Sequence, residues 1–597
     1  MVELEGTTVT WTQYGKPAQD ELRRVVAKAE QSDLLAPVTL IVPNNLAGVA
    51  ARRSLAQGLK QGGPAGVAAL TVLTLDRLAE LVAAPSLTAA GRRPLTSTVL
   101  AAAWRAELTA DPGIFVEVAQ HPATVTALVR AHRQLRELTG DAIEAVAATG
   151  TLPAALIALH RRVVDRTNDR WYDVVDLRAT ATGALQAEQL TELGAIVVHL
   201  PQELERSQIG LLQKLATATL VRVVSGQTGN NHADAGVLAT AQAWGLALPE
   251  SKPRLPVAKE IHHASDSDDE VRGVVRQLVT SLKEKPGHRI AVLYGNRVPY
   301  ARLLHEHPSR AGIAFNGPGV RPTAERQVPR ALLQLLALAE DDVDRAGLLA
   351  LLAGAKVLDA QGKPVPSSRW ERMARYSATE RAKADAEDPS RPGIIDRRRR
   401  DADAADALRL FVEELRTVLA QGRTTSTWTG LSTWSLSVLH RYLGDEDDSR
   451  SRPEDQRAAA KVVSVLSSLT ALNEVSDVAD LETLRYVVEL QLEEDLPRTG
   501  TFGTGVFVGP MSSAVGLELD EVYLVGLAEG ITPGRLREDA LLPEAARVAA
   551  DGQLPALRAR LDREHRHLMA ALACAPTVTA SFPRGDLRRG GERLPSR

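Results

Sequence analysis

Few residues of this 597-residue chain have the types and spacing that catalysis requires. Asp173 and Asp176 follow Trp171-Tyr172 and could together hold a metal ion, but acids at this spacing also suit the first turn of a helix, where the dipole favours negative charge. His199 ends an apolar run and has no second ligand at helix or strand spacing. The sequence therefore favours a helix start for the two acids, no metal site and no catalytic residue.

Nucleoside triphosphates are usually bound by a glycine-rich loop after a strand, in the pattern G-x-x-x-x-G-K-[ST]. The glycine amides surround the phosphates, while the lysine contacts the phosphates and the hydroxyl holds magnesium. After the apolar run Val38–Val42 the chain reads PNNLAGVAARRSL, which we interpret as a degenerate loop of this kind. Gly48 fits, but Val49 and Ala50 stand where the lysine and the hydroxyl belong. The sequence therefore predicts no tight triphosphate site in this segment.

Basic residues that could contact phosphates occur in two places. Arg52 and Arg53 lie on the helix predicted after Gly48, and we interpret them as surface charges or as an anion contact. The run RRRR at 397–400 lies in a stretch, 383–405, whose prolines and charges predict an exposed loop, and the run itself is more typical of a solvated loop or a helix start than of a phosphate contact. The net charge of −3 excludes a polycation, so any nucleic-acid contact must come from local basic surfaces.

The composition is that of a globular chain with several domains. With 44% hydrophobic and 24% charged residues it can bury sizeable cores, and its length suits domains of about 100 to 200 residues. The single cysteine, Cys574, excludes an internal disulfide framework and favours a cytoplasmic location. No apolar run approaches the roughly 18 to 20 residues of a membrane span, and the acidic N-terminus is unlike a signal peptide.

Short apolar runs that alternate with helical patterns predict an α/β fold with parallel sheets covered on both faces. The runs predicted as buried strands are 38–42, 195–198, 220–224, 290–293, 506–508 and 522–525. Two Ala- and Leu-rich blocks between them, 97–169 and 328–496, have helical periodicity and no convincing strand. The sequence therefore predicts two sheet domains, each interrupted by a helical insertion.

The order of these segments resembles a UvrD-like superfamily-one helicase, and more closely the AddB/RecC type of helicase–nuclease subunit, over nearly the whole chain. The most informative stretch is VFVGPMSSAVGLELDEVYLVGLAEGITP, residues 506–533. It is similar to a motor segment that reads T-x-H-x-A-K-G-L-E-F-D, with Ser512 and Val515 in place of the His and the Lys. This stretch therefore has the layout of a motor segment without the residues that couple nucleotide to DNA.

Further stretches resemble nucleotide-site motifs that have lost their polar residues. The segment after 195–198 is similar to the acidic motif D-E-x-Q-D, with His199 and Leu200 in place of the carboxylates that hold magnesium and position water. RIAVLYGN and EHRHLMAALACA are similar to two later motifs, with Gly295 and Ala575 in place of arginines. An arginine finger alone contributes about 10³- to 10⁵-fold in rate, so the resemblance implies a fold without ATP hydrolysis.

The resemblance implies two RecA-like domains, each with a helical insertion subdomain. The implied boundaries are 1–95 and 170–255 for the first domain, 96–169 for its insertion, 256–327 and 497–597 for the second domain, and 328–496 for its larger insertion. The segment TASFPRGD is similar to the one that precedes the PD-(D/E)XK nuclease domain of AddB-like proteins. The nuclease domain is therefore expected outside this sequence, whether truncated, encoded separately or lost.

The function implied by the resemblance is that of a non-motor subunit in a helicase–nuclease that processes DNA double-strand ends. Such a subunit would contact single-stranded DNA and duplex ends beside a UvrD-like motor and nuclease subunit. No cofactor is expected in this chain; ATP and Mg²⁺ belong to the partner motor, and Mg²⁺ to the nuclease domain. The candidate DNA contacts are polar residues on loops after strands: Gln227, Asn296, Arg297, Ser512 and Ser513.

Two alternatives stay open from the sequence. The chain could be an active ATP-dependent helicase or exonuclease subunit, which would need a lysine and paired acids that the motifs above lack. It could also be a protein-interaction scaffold without a DNA role. Measurements of ATP hydrolysis and of salt-dependent DNA binding separate these three functions.

Overall fold

A computed structural model describes most of the chain. The described residues are 6–30, 33, 35–59, 65–185, 192–375, 394–444, 452–476, 479–493, 498–586 and 591–596. The chain divides into two compact units, which we call the sheet unit and the helical unit. The sheet unit comprises 1–95, 130–318 and 500–597, and the helical unit comprises 96–129 and 319–499. The class is α/β with parallel sheets, as the sequence predicts.

All named strands belong to the sheet unit. In chain order they are β1 (Thr7–Gln13), β2 (Val38–Val42), β3 (Leu70–Thr74), β4 (Arg93–Pro94), β5 (Trp171–Tyr172), β6 (Ala195–His199), β7 (Val221–Gln227), β8 (Glu260–Ala264), β9 (Ile290–Tyr294), β10 (Phe315–Asn316), β11 (Val506–Pro510), β12 (Glu521–Val525), β13 (Thr577–Pro583), β14 (Gly585–Asp586) and β15 (Gly591–Glu592). Where neighbouring strands pair in the two large sheets, they run parallel.

The helices are also given in chain order. They are α1 (Lys16–Ala29), α2 (Asn45–Ala56), α3 (Leu75–Ala89), α4 (Ser97–Ala110), α5 (Pro122–Leu135), α6 (Gly140–Ala147), α7 (Thr151–Thr167), α8 (Val174–Ala184), α9 (Arg206–Ala216), α10 (Asn231–Trp244), α11 (Ser267–Ser281), α12 (Arg297–Arg310), α13 (Gln327–Glu340), α14 (Arg345–Gly354), α15 (Ser367–Arg375), α16 (Ile394–Thr424), α17 (Trp428–Leu443), α18 (Pro453–Ser468), α19 (Leu481–Leu492), α20 (Glu544–Ala549) and α21 (Leu557–Ala573). None of them is long and apolar enough to span a membrane, within the part of the chain that the structure describes.

The first sheet has the strand order β1-β7-β6-β2-β3. Alternate side chains of its strands point to opposite faces, so each face is covered by different helices. Val197 and Val224 pack with α1 and α2, whereas Ile196 and Val223 pack with α3, α8 and α9. Helices on both faces explain why β2 reads as a continuous apolar run, VTLIV, with all five residues buried.

The second sheet has the strand order β10-β11-β9-β12-β13-β8. Its central strands β9 and β12 are buried along their whole length. One face packs on a core that includes Leu293, Leu524 and Cys574 together with residues of α21. Burial of the Cys574 thiol raises its pKa to about 12, so this cysteine is an inert core residue at neutral pH.

Five strands of these sheets, β1, β3, β8, β10 and β13, lie outside the apolar runs that predicted the other strands. β1 and β8 are edge strands whose residues are largely partly buried or exposed, so they have no continuous apolar run. β13, TVTASFP, is mostly buried but is built from small and polar residues. The apolar-run criterion therefore detects central strands and fails at edges and where small side chains pack.

The helical unit contains α4 and α13 to α19. Helix α13 packs against α14, α16, α18 and α19. The predicted loop 383–405 is partly wrong, because residues 394–405 lie in α16, whereas the arginine run 397–400 lies at the start of this helix, one of the two structures that the sequence favoured for it. Residues 383–393 lie outside the described part of the chain.

Candidate functional site: the carboxyl ends of the two sheets

Parallel α/β sheets bind ligands at the carboxyl ends of their strands, at the point where the following helices cross to opposite faces. In the first sheet one such point lies between β1 and β7, which pair in register from Thr7 with Val221 to Gln13 with Gln227. Helix α1 follows β1 on one face, while α10 follows β7 and its Trp244 packs in the core of the other face. The crevice above β1, β7 and β6 is therefore a candidate position for a ligand.

The strand that leads into this crevice is β1, and the sequence assigned that role to β2. After β1 the chain makes only a short turn through Tyr14 and Gly15 before α1 begins at Lys16. Gly15 has a φ of 79°, and a Cβ there would lie 2.2 Å from the carbonyl oxygen of Ala573. The turn is thus closed by backbone contact with the end of α21, which leaves no loop long enough to surround phosphates.

The residues predicted as a degenerate phosphate loop do not form a loop. Asn44 caps α2 by accepting a hydrogen bond from the Ala47 amide, and Gly48, Val49 and Ala50 follow inside the helix. Gly48 is buried against the sheet, with the side chain of Val42 close by. The prediction of a loop at these positions is wrong because the cap begins the helix directly after β2.

Tyr14 fills the crevice. Its side chain is 1% exposed, and its ring lies so close to Gly226 of β7 that a Cβ there would be 2.5 Å from the ring. The amide of Gln202 reaches the tyrosine hydroxyl at 3.5 Å. Burial raises the pKa of Tyr14, so its hydroxyl stays neutral and its ring fills this position.

A small apolar cluster continues from Tyr14 across to the second sheet. We call it the carboxyl-edge cluster, and its buried members are Tyr14, Ala18, Leu200, Val515 and Ala570. Leu200 is fully buried with a φ of 51°, an uncommon conformation for a leucine. Because these five side chains present no cation and no backbone cradle, the cluster offers a triphosphate neither charge compensation nor space.

His199 lies directly before this cluster, as the last residue of β6. It is completely buried, and neither ring nitrogen has a hydrogen-bond partner. Burial lowers its pKa to about 3, so the imidazole stays neutral at physiological pH. In the described part of the chain no group of three or more His, Cys, Asp or Glu side chains is arranged to hold a metal ion.

An ion-pair cluster lies beside the carboxyl-edge cluster. Glu203, in the loop after β6, accepts a hydrogen bond from Arg563 and, at 3.2 Å, one from the Arg566 Nη2. Arg566 is 1% exposed. Gly236 makes room for the glutamate, because a Cβ there would lie 2.6 Å from the Glu203 Oε1. A charge pair that joins the β6 loop to α21 thus stands beside the site where the resemblance places magnesium chemistry.

Asp173 and Asp176 form a structural cap, as the sequence favoured. Asp173 caps α8 by accepting bonds from the amides of Val175 and Asp176, and the Asp176 side chain returns a bond to the Asp173 amide. Arg136 pairs with both carboxylates. Burial opposes ionisation of Asp173, but the bonds to Arg136 outweigh it and lower the pKa of this carboxyl.

Gly295 and Ala575, at which the sequence comparison expected arginines, lie in packed surroundings. Gly295 follows β9, and a Cβ there would lie 2.2 Å from the Thr532 Oγ1, so a larger side chain does not fit without movement. Ala575 follows α21 and packs, partly buried, against the core of the second sheet. Neither position offers a polar group to a nucleotide.

Four of the predicted DNA contacts come together and one does not. Asn296 and Arg297 follow β9, while Ser512 and Ser513 follow β11, and β9 and β11 are parallel neighbours. All four therefore lie at the carboxyl edge of the second sheet. Asn296 also caps α12 by accepting a bond from the Val298 amide.

Gln227 is not a surface residue. It ends β7 at the carboxyl edge of the first sheet, and its side chain is 8% exposed. Little of this side chain is therefore available to a ligand, and the DNA contact at Gln227 stays a prediction. The sequence signal for Tyr14, Glu203 and Arg566 was also incomplete, because their importance comes from contacts between distant segments.

Comparison with protein-family models and with curated proteins finds no match to this chain. The described structure has two parallel sheets in one unit, a closed crevice at the carboxyl edge of the first sheet, and polar residues at the carboxyl edge of the second.

Proposed function

We propose that this chain is a non-motor, helicase-like subunit that guides single-stranded DNA in a cytoplasmic helicase–nuclease of the AddB/RecC type. In this proposal the two parallel sheets are RecA-like domains. The partner is a UvrD-like motor and nuclease subunit that supplies ATP hydrolysis and binds Mg²⁺. The complex would process DNA double-strand ends for recombinational repair.

The observation that carries the proposal is the closed crevice at β1 and β7. A motor must hold a triphosphate at the carboxyl ends of these strands, where backbone amides and a lysine compensate its charge. Here Tyr14 and Leu200 occupy that position, and both are almost fully buried. Retention of the sheets together with an apolar filling of the crevice favours a role in binding over a role in hydrolysis.

The polar carboxyl edge of the second sheet is the proposed DNA path. Ser512 is exposed and Ser513 partly exposed, and both follow β11. Arg297 supplies a cation near them at the start of α12. Small polar side chains with a nearby cation suit contact with a sugar-phosphate backbone, which neutral hydroxyl donors and arginines commonly bind.

We expect the purified chain to show no ATP hydrolysis stimulated by single-stranded DNA. A phosphate-release assay with and without an oligonucleotide measures this directly. Turnover of about 1 s⁻¹ or more, the usual range for enzymes, would contradict the proposal. The variant Lys16→Ala then shows whether this chain is responsible, because Lys16 is the lysine that directly follows the β1 turn.

We expect Ser512→Glu to weaken binding of single-stranded DNA about fivefold at low salt. A carboxylate about 4 Å from a phosphate costs about 1 kcal/mol in water, and salt screens this repulsion. Fluorescence anisotropy of a labelled oligonucleotide at two salt concentrations measures both effects. The control Ser86→Glu introduces the same charge at an exposed serine of α3. Equal weakening by both variants would show that the second-sheet edge is not the DNA path.

A further inference from the structure

A cavity of about 370 Å³ lies at the opposite end of the second sheet from the proposed DNA path. Its walls come from the residues that precede β9, β11 and β12, together with side chains of α1 and α2. The volume is at the lower end of the range for small-molecule sites, about 300 to 1,000 Å³. Ligands of α/β sheets usually bind at the carboxyl ends, so a cavity at the amino ends is a separate site.

Two buried polar side chains in the walls each have an oxygen without a hydrogen-bond partner. Gln19 is 1% exposed and donates its amide to the Gly516 carbonyl at 2.9 Å, which leaves its Oε1 without a partner. Ser54 is 7% exposed, and its Oγ also lacks a partner. Solvent does not reach either oxygen. Buried polar atoms are normally satisfied, which makes this pair notable in a cavity wall.

One wall is formed by a cation stacked on an aromatic ring. The Arg53 guanidinium lies 5.1 Å from the centre of the Phe502 ring. Gly503 permits this approach, since a Cβ there would lie 1.7 Å from the Arg53 Nη2. Arginine and aromatic planes of this kind are the usual stacking surfaces for nucleobases, and the guanidinium also attracts phosphate.

A carboxylate in the cavity wall can accept hydrogen bonds from a ligand. Glu518 lines the cavity, and its nearest cations, Arg23 and Arg289, lie at 3.8 and 3.9 Å, beyond hydrogen-bond distance. Arg289 instead makes its close bonds to Asp520 and to the Glu518 carbonyl. The Glu518 carboxylate therefore keeps acceptor capacity for ligand N–H groups.

We propose that this cavity binds one nucleotide unit with an amino-bearing base. The base stacks on the Arg53 and Phe502 wall and donates hydrogen bonds to Glu518, while the phosphate lies near the Arg53 guanidinium. The unit is either a free nucleoside monophosphate or one nucleotide of a single strand. This site goes beyond the proposed DNA path, because it lies at the other end of the sheet.

The test uses 2-aminopurine riboside 5′-monophosphate, whose fluorescence falls when its base stacks. We expect saturable quenching by the full chain and about tenfold weaker binding to Arg53→Gln, the usual loss for a charged hydrogen-bond donor. The matched control is Arg52→Gln, the adjacent arginine of α2, which does not line the cavity. Thermal unfolding of both variants checks that each remains folded, since both arginines are exposed.

The absence of quenching up to millimolar probe would overturn the proposal, and so would equal weakening by Arg52→Gln and Arg53→Gln. A second titration uses a single-stranded oligonucleotide with one 2-aminopurine. Quenching that Arg53→Gln weakens identifies the ligand as a base of the strand, whereas quenching of the mononucleotide alone identifies a free nucleotide. The Ser512→Glu experiment is separate, so failure of the DNA path and failure of this site are distinguishable.

Discussion

Replacing Glu203 with alanine is expected to lower the free energy of unfolding by about 3 kcal/mol. Arg566 is 1% exposed, and its Nε and Nη1 already lack partners. The variant removes the carboxylate that accepts from its Nη2, so a buried guanidinium loses that partner. We place the effect at the lower end of the range for broken buried pairs because the Glu203 side chain is 23% exposed.

Urea unfolding followed by circular dichroism measures this effect. Glu80→Ala is the matched control, because Glu80 pairs with Arg77 on the surface of α3, with 46% and 61% of the two side chains exposed. Exposed pairs of this kind contribute about 0 to 1 kcal/mol. Equal decreases in the free energy of unfolding of the two variants would show that the contact between the β6 loop and α21 does not hold Arg566 in place. A larger loss in Glu203→Ala alone supports the structural role of this pair.

Lowering the pH from 7.5 to 5 is expected to cost about 2 kcal/mol of stability for each histidine that the fold keeps neutral. Burial lowers the pKa to about 3 in His132 and His199 and to about 4 in His160. Histidine in the unfolded chain has a pKa near 6.5, so above that pH these rings are neutral in both states and do not reduce the free energy of unfolding. As the pH falls below 6.5, only the unfolded chain takes up protons at these rings, and the free energy of unfolding decreases.

His132 and His160 also contact each other, with their Nδ1 atoms 3.0 Å apart, so one must donate and the other accept. Arg136 lowers both pKa values further, and Asp173 opposes this. Protonation of either ring would place a charge in a buried pair. Acid destabilisation of this part of the sheet unit is therefore expected to begin near pH 6.5.

His199→Leu isolates one of these contributions. When the pH is lowered from 7.5 to 5, we expect the parent to lose about 2 kcal/mol more unfolding free energy than the variant. The variant should also be about 1 to 3 kcal/mol more stable at pH 7.5, because it removes two buried nitrogens without partners. The exposed His232, replaced by Gln, is the control. An unchanged pH dependence in His199→Leu would contradict the neutral state of His199.

The central strands were predictable because burial on both faces leaves a signal in the sequence. Continuous apolar stretches occur at Val38–Val42 and near residues 196, 292 and 523. Each of them is an interior strand in the structure. The cap at Asp173 was also predictable, since acids at a helix start act on the nearest backbone amides. Signals of this kind depend only on residues that are close together in the sequence, so they can be recognised without the structure.

The identity of the strand that leads into the crevice of the first sheet was not predictable in the same way. β1 alternates polar and apolar residues and lies at a sheet edge, and only its pairing with β7 shows that Tyr14 enters the crevice. The sequence assigned the phosphate loop to Gly48 because β2 is the stronger apolar run. Strand order depends on contacts between segments more than 200 residues apart, which no local pattern encodes.

The sequence by itself determined the α/β class and those interior strands that are continuous apolar runs. Each of these follows from residue type and short-range periodicity. Only the tertiary structure decided that Tyr14 and Val515 close the crevice together, that Glu203 pairs with a buried Arg566, and that Gln19 and Ser54 belong to the wall of one cavity. These contacts join distant segments, and their physical consequences depend on burial, which arises only when the chain is folded.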